Sequence, residues 1–395
     1  MSAEGLVGRT IDPAEEAALL DTIERWVVRD LRPVVKKFDH ADEWPADIVE
    51  QMQGLGLFGA TISQRYGGLG LPARTYAKLV MRISAEWMAI TGIFNSHLIL
   101  ALALEKFGTE EQKQRYLPRL ASGELRGGLA LTEPDAGTDL QGIRMTARRD
   151  GDDYVIDGTK TWISNGIKGS VFALLVKTNP QAEPRHKGMS LFIVEKGPGF
   201  SVSRKLEKLG YKSIDSAELV FSGFRVSKDN LIGGVEGQGF YQATGGLELG
   251  RINVAARGVG IAEGALNLAV GYAAVRKTFG KAIAEHQAIQ LKLGEMATRA
   301  RAARLLTLDA ADRFDSGQRC DMEAGMAKFF SSEAALENSI ESLRIHGAYG
   351  YSKEFDIERL YRDAPLTCIG EGTNEMQRII IARQLMKRAQ EGVQQ

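Results

Sequence analysis

Near the end of this 395-residue chain a glutamate stands between two glycines, Gly370-Glu371-Gly372, after Thr367-Cys368-Ile369 and before Thr373-Asn374-Glu375-Met376-Gln377-Arg378. Small neighbours let backbone and ligand come close, so the carboxylate can face a substrate instead of a packed wall. A carboxylate in that setting can act as a general base when expulsion of water raises its pKa. Taken alone, Gly-Glu-Gly is more often a solvated glutamate at a helix start. Two upstream runs, Leu131-Thr132-Glu133-Pro134-Asp135-Ala136-Gly137-Thr138-Asp139 and Trp162-Ile163-Ser164-Asn165-Gly166, are ordinary turn chemistry when read singly. Their order and separation carry more than any one of them.

The elements around these runs fall into three zones. From Pro13 to about Leu125, apolar residues recur at three- and four-residue spacing, as in Leu19, Ile23, Trp26, Val27 and Leu31. This predicts helices interrupted at Pro33, Pro45 and Pro72, with a loop at Tyr66-Gly67-Gly68-Leu69-Gly70. Between about Gly127 and Asn230, short β-rich runs at 154–156, 171–176, 189–194 and 218–221 are separated by turn residues such as Gly151-Asp152-Asp153 and Gly197-Pro198-Gly199. After about Phe240, long alanine-rich helical patterns return, without proline until Pro365. The expected class is α+β: a helical domain over 1–126, a β domain over 127–240 and a second helical domain over 241–395. The polar tail from Lys387 is expected to fray.

Composition removes several functions. Lys+Arg 50 balance Asp+Glu 50, so no global charge draws the chain to nucleic acid or an anionic membrane. Two cysteines, Cys320 and Cys368, give neither a disulfide framework nor metal-ligand spacing, and they suit a reducing compartment. The segment Met1–Leu6 lacks the apolar core of a signal peptide, and Asp12-Pro13-Ala14-Glu15-Glu16 is too acidic for a transit peptide. Apolar runs such as Leu98–Leu104 are shorter than a membrane span. A cytoplasmic protein that binds no membrane and no metal is expected. Gly258-Val259-Gly260 with Gly264 has the wrong spacing for a dinucleotide fingerprint and continues a helical pattern, so close helix packing explains it better.

Further ordered marks are Phe107-Gly108-Thr109-Glu110-Glu111-Gln112, Tyr116-Leu117-Pro118, Gly250-Arg251, Arg276-Lys277-Thr278-Phe279-Gly280, Glu285-His286-Gln287 and Arg362-Asp363-Ala364. With them the chain, from about Leu19 to Arg388, resembles the acyl-CoA dehydrogenases, FAD enzymes that place a double bond between Cα and Cβ of an acyl-CoA thioester. The resemblance implies FAD as cofactor, an acyl-CoA as substrate, electron-transferring flavoprotein as partner, and a homotetramer or homodimer. It makes Glu371 the base that removes the α-proton. Some relatives carry the base just before the arginine matched by Arg251, and Gly250 stands there instead.

The same resemblance implies that Leu131 and Thr132 bond the flavin's pyrimidine edge, Trp162 packs along the isoalloxazine and Ser164 bonds near N5, a flat wall with a few donors. Thr138 matches a position that touches pyrophosphate or pantetheine. Arg276, Phe279 and Gln287 match residues that reach the dinucleotide from a neighbouring subunit, where a guanidinium suits a diphosphate. Arg344, a glutamine in many relatives, and Gly347 belong to the loop Arg344-Ile345-His346-Gly347-Ala348-Tyr349-Gly350 that follows FAD, within which His346 is read as structural. Thr373 and Glu375 match contacts to FAD phosphate and adenosine. Glu248, Arg251 and Gly372, with Thr138, match substrate positions.

Gly370 stands where straight-chain relatives often have tyrosine, which leaves space for a branched or cyclic acyl group. Relatives that act on glutaryl-CoA hold its far carboxylate with an arginine in the segment that here spans Ala89–Leu104. None occurs there, so a dicarboxylate is not expected. Two alternatives stay open, an oxidase that hands electrons to oxygen and a non-catalytic acyl-CoA-binding relative.

Overall fold

A computed structural model describes residues 8–392, so the reading of Met1–Leu6 lies outside the described residues. The N-terminal helices are α1 (Pro13–Trp26), α2 (Val35–Ala41), α3 (Ala46–Gly54), α4 (Ala73–Phe107) and α5 (Glu110–Ala121). Asp12 caps α1 by accepting from the Ala14 and Glu15 N–H groups, and Thr109 and Gln112 form a reciprocal capping box at α5. Pro45 and Pro72 precede α3 and α4, where a missing N–H costs nothing.

The 35 residues of α4 form a run long and apolar enough to cross a membrane, a length that short apolar runs such as Leu98–Leu104 do not convey. Nearly all of that run is buried inside the protein, so α4 is a core helix; its one break is at Trp87 (φ −153°, ψ 97°).

The middle of the chain forms seven strands: β1 (Gly127–Ala130), β2 (Thr146–Asp150), β3 (Asp153–Ser164), β4 (Val171–Lys177), β5 (Met189–Glu195), β6 (Phe200–Lys205) and β7 (Ser216–Ser227). They make one sheet in the order β1-β4-β2-β3-β7-β6, with β5 on the far side of β4. β1 and β2 share one edge of β4 in parallel, while β3, β7 and β6 continue antiparallel. β4 and β5 are buried almost throughout, as their unbroken apolar runs require. β3 loses register against β7 between Lys160 and Ile163.

The chain then returns to helices: α6 (Gly239–Thr244), α7 (Leu247–Val275), α8 (Gln287–Asp315), α9 (Asp321–His346), α10 (Ile357–Ile369) and α11 (Asn374–Gln390). A two-strand hairpin, β8 (Lys277–Thr278) and β9 (Lys281–Ala282), separates α7 from α8. The tail expected to fray from Lys387 stays helical to Gln390, and residues 393–395 lie outside the description.

One apolar core runs through α4, α7 and α9 and joins the two helical segments; a second lies within the sheet. Close approach of α4, α7 and α9 depends on small residues. A Cβ at Gly260 would lie 2.5 Å from the Met81 carbonyl, one at Gly264 2.5 Å from the Ala85 carbonyl, and one at Gly258 2.7 Å from the Ser331 carbonyl. The glycines at 258–264 are therefore packing residues.

Candidate functional site

Glu371 sits in the turn between α10 and α11 with φ 56°, and Gly372 follows with φ 88°. Two consecutive left-handed residues are uncommon, and a glutamate in that region costs on the order of 1–2 kcal/mol. Neighbours hold the turn in place. Buried Gln377 donates Nε2 to the carbonyls of Glu371 (3.4 Å) and Gly372 (3.2 Å). Buried Lys328 of α9 donates to the Cys368 carbonyl (3.0 Å) and Asn374 Oδ1 (2.8 Å), and its pKa is pushed down to about 8 by burial. Thr373 caps α11 by accepting from the Met376 N–H.

The residue keeps some surface open, while its carboxyl group is enclosed by protein. That carboxyl faces α7: a Cβ at Gly250 would lie 3.1 Å from Glu371 Oε2 and 3.3 Å from Ile99 Cδ1 of α4. Gly250 and Glu371 therefore converge on one point. Neither the carboxylate nor the Glu371 N–H has a hydrogen-bond partner among the described residues. Burial raises the pKa of Glu371, and the charges of Arg257, Arg251 and Lys328 oppose that rise without cancelling it. The result is an unengaged carboxylate with enhanced basicity and a free N–H donor beside it.

A second group of residues gathers on the sheet. Lys160, fully buried, donates to the Leu131 carbonyl (2.8 Å) and to Glu133 Oε1 (2.9 Å), and burial pushes its pKa down to about 8. Glu133 also accepts from the N–H groups of Arg144 (2.6 Å) and Met145 (3.1 Å), and the Thr161 N–H donates to the Thr132 carbonyl (2.9 Å). These bonds pin Leu131 and Thr132 against the bulged part of β3. One residue on, Trp162 takes φ 61° and turns its ring outward, 58 % exposed. The Thr132 hydroxyl has no partner among the described residues. An exposed indole beside an unengaged hydroxyl fits a flat, ring-shaped cofactor, and the backbone strain at Trp162 is the kind found at binding sites.

The two groups meet across α4. Gly128 has no room for a side chain, because Ser96 Oγ fills the place and the Ser164 carbonyl lies 3.1 Å away. Asn165 ties the end of β3 to α4 by donating to the Ile93 carbonyl (2.8 Å). Ser96 and Ile99 are three residues apart, about 4.5 Å along the helix, so one turn of α4 spans from Ser164 to Glu371.

The remaining predicted residues lie elsewhere. Thr138 is exposed in the loop after β1. Arg251 is buried, 3.9 Å from Asp321, with Nε unpaired; Glu248, also partly buried, has its pKa raised by burial and by Asp321. This places Arg251 beside the base and not at the surface. Arg276, Phe279 and Gln287 lie in and around the β8–β9 hairpin, where Phe279 is 97 % exposed at φ 49°. Arg344 is exposed and pairs with Glu341 (2.6 Å), and Gly347 ends α9 at φ 62°, ψ −136°, a conformation that needs glycine. His346 donates to or accepts from nothing in the site; it bonds the Ser342 carbonyl and stacks on Tyr272, a structural role as read from the sequence. Glu375 is exposed in the first turn of α11. No hydrogen bond, ion pair or ring contact among the described residues links the hairpin to Glu371 or Trp162.

Sequence reasoning missed Lys160, Lys328, Gln377 and Arg257. Only Arg257 left a signal, as the lone charge in the helical run 252–262. Asp39, His40 and Glu358 approach one another closely enough for a metal, yet Arg362 donates to both Asp39 and Glu358 and supplies the positive charge there.

Three family descriptions match the chain in order: Acyl-CoA dehydrogenase, N-terminal domain over residues 13–124, middle domain over 128–224 and C-terminal domain over 237–386. An acyl-CoA dehydrogenase of Bacillus subtilis (strain 168) is 40 % identical over 374 residues, 94 % of this chain and 98 % of that protein. Butyryl-CoA dehydrogenase from Megasphaera elsdenii superposes with a TM-score of 0.92 at 33 % identity, over 96 % of this chain and 99 % of the other. A chain from a structural study of the electron transferring flavoprotein of Acidaminococcus fermentans superposes with a TM-score of 0.91 at 37 % identity, over 95 % and 98 % of the two chains.

Proposed function

The chain belongs to the acyl-CoA dehydrogenase family, FAD-dependent oxidoreductases that act on a CH–CH bond, and from that premise we propose that Glu371 is its catalytic base. The observation that carries this reading is the enclosed, unpartnered carboxylate of Glu371, one turn of α4 from the Ser164 carbonyl. Leu131, Thr132, Trp162 and Ser164 would hold the flavin ring, with Thr138, Thr373, Glu375, Arg344 and Gly347 along the rest of the dinucleotide. When bound, FAD supplies the acceptor for the β-hydrogen as hydride, and electron-transferring flavoprotein is the proposed outlet for the electrons.

Glu371 takes the α-proton of the thioester. An acyl chain packed beside the carboxyl keeps water from it and raises its basicity further. The negative charge that develops on the thioester oxygen needs a donor, and the unengaged N–H of Glu371 is one; a single donor of this kind lowers a barrier by about 3 kcal/mol. Arg251, Glu248 and Gly372 would keep the substrate arm in line beside the base. At Gly370 a Cβ would meet only the Leu366 carbonyl at 3.4 Å, which supports room for a branched or cyclic acyl group.

Phe279 and Arg276 project from the chain, and a neighbouring subunit would complete them in a homotetramer or homodimer. Two free thiols, Cys320 and Cys368, support a reducing, cytoplasmic setting.

Anaerobic mixing with a panel of acyl-CoA esters tests the central claim. Wild type is expected to bleach its flavin with at least one ester, whereas Glu371→Gln keeps its FAD and does not bleach. A Glu371→Gln enzyme that bleached at the wild-type rate would remove Glu371 from the chemistry. Peroxide formation under air in place of transfer to a flavoprotein would move the enzyme to the oxidases.

A further inference from the structure

Arg257 stands seven residues beyond Gly250 on α7, so both lie on one face of the helix, with Asn253 between them. Its side chain is buried, yet among the described residues it forms no ion pair. It makes two long bonds, Nη1 to the Tyr211 hydroxyl at 3.2 Å and Nη2 to the Thr91 carbonyl at 3.5 Å, and its Nε has no partner. A guanidinium stripped of water with no carboxylate in ion-pair reach destabilises a fold, so an anion that completes it is the natural explanation.

Helical side chains lean toward the N-terminus of their helix, and here that direction is toward Gly250 and Glu371. In agreement, Arg257 is the foremost charge acting on Glu371, ahead of Arg251 and Lys328. The surroundings of Arg257 are polar as well. Asn253 donates to the Tyr76 hydroxyl (2.8 Å) while its own Oδ1 is unpaired, and the Tyr211 hydroxyl fills the room left by Gly92. In the other direction along α7 the walls are apolar: a Cβ at Gly246 would meet Leu102 at 3.4 Å and Ile99 at 3.7 Å. From the base, one direction along α7 suits hydrocarbon and the other offers a buried, underused cation.

We propose that Arg257 binds a carboxylate at the far end of the acyl group, which makes the preferred substrate a short dicarboxylyl thioester. Gly250 and Arg257 are about 10 Å apart along the helix, and the side chain leans back across part of that gap, a separation that matches roughly four or five acyl carbons. A carboxylate there can take two parallel N–H donors from the guanidinium, with the Tyr211 hydroxyl beside it. The inference rests on the assignment of Glu371 as base. It reverses the expectation drawn from Ala89–Leu104: α4 offers no arginine, and α7 supplies one from the opposite wall.

The test compares succinyl-CoA and glutaryl-CoA with their uncharged counterparts butyryl-CoA and pentanoyl-CoA, in wild type, Arg257→Gln and Arg257→Lys, all checked for FAD content. Wild type should favour a dicarboxylyl ester. In Arg257→Gln, kcat/KM for that ester should fall about a hundred-fold more than for the uncharged match, mainly through KM, and Arg257→Lys should recover part of the loss. Binding measured by calorimetry in a Glu371→Gln background, where no turnover occurs, should show the same preference and its loss with Arg257→Gln. A wild-type preference for butyryl-CoA, or equal losses on both kinds of ester in Arg257→Gln with FAD retained, would overturn the inference and leave Arg257 as a partner of Glu371 alone. Selective binding of the dicarboxylyl esters without flavin reduction by any ester would uphold Arg257 and overturn the dehydrogenase chemistry instead.

Discussion

Two carboxyl groups with raised pKa values serve different ends in this protein. Glu371 must be ionised to accept a proton, so kcat/KM is expected to fall on the acid side through a pH above the ordinary glutamate value. Arg257 is the largest charge holding that pKa down, so Arg257→Gln should move the acid limb to higher pH. A pH profile of kcat/KM checks this, and an unmoved limb would separate Arg257 from the base. Asp363 is wholly buried, accepts from the Tyr211 N–H, and is pushed up to about 7 by burial and then by Asp39. Asp363 Oδ2 and Asp39 Oδ1 are both unpaired. Because the folded pKa lies above the unfolded one, the folded state binds the proton more tightly. The stability this contributes is present in full below the ordinary aspartate value and is lost as pH rises through about 7. Asp363→Asn keeps an acceptor for Tyr211 and removes the titration. Its melting temperature, relative to wild type, should rise between about pH 5 and pH 8; a constant difference would show that Asp363 does not titrate there.

The secondary-structure elements matter here for what they bring together. Strand β3 sends Lys160 inward and Trp162 outward, and the bulge between Lys160 and Ile163 makes that possible. Lys160 holds the Leu131–Thr132 segment through one carbonyl and one carboxylate. Lys160→Met would leave the Glu133 carboxylate buried and short of a counter-charge, a loss of about 3–5 kcal/mol. A thermal melt and the FAD content of the purified variant should both fall; full FAD occupancy at a lowered melting temperature would mean that the segment does not depend on Lys160. In the helical layer, Gly250 gives the Glu371 carboxylate its place, while Gly258, Gly260 and Gly264 let α7 pack closely on α4 and α9.

Taken as a whole, the chain presents part of its predicted cofactor set to the outside. Phe279 is almost fully exposed at a hairpin tip, with Val275 (74 %) and Leu291 (63 %) on the adjoining segments. Exposed apolar groups of this size are expected to be covered by another copy of the chain. Phe279→Asp should therefore fold, as shown by circular dichroism, yet sediment as a smaller species and bind FAD more weakly. An unchanged sedimentation coefficient with unchanged FAD affinity would count against a shared site.

The strand runs at 171–176 and 189–194, the helix breaks at Pro33, Pro45 and Pro72 and the Gly370-Glu371-Gly372 motif were all legible in the amino-acid order, because each depends on local periodicity, local backbone preference or a run of neighbouring residues. The helical and sheet zones meet near Gly127 and Gly239, where the composition shifts. Lys160, Lys328, Tyr211 and Arg257 were not legible as site residues. Burial turns a lysine or arginine into a site element, and burial depends on what distant segments place around it: Lys328 meets Asn374 across 46 residues and Arg257 meets Thr91 across 166. The apolar character of α4 was visible, but only its packing against α7 decided that it is a core helix and that Arg257 of the facing wall is buried against its Thr91 carbonyl. Local chemistry follows from neighbours in the chain, whereas desolvation and charge coupling follow from neighbours in space.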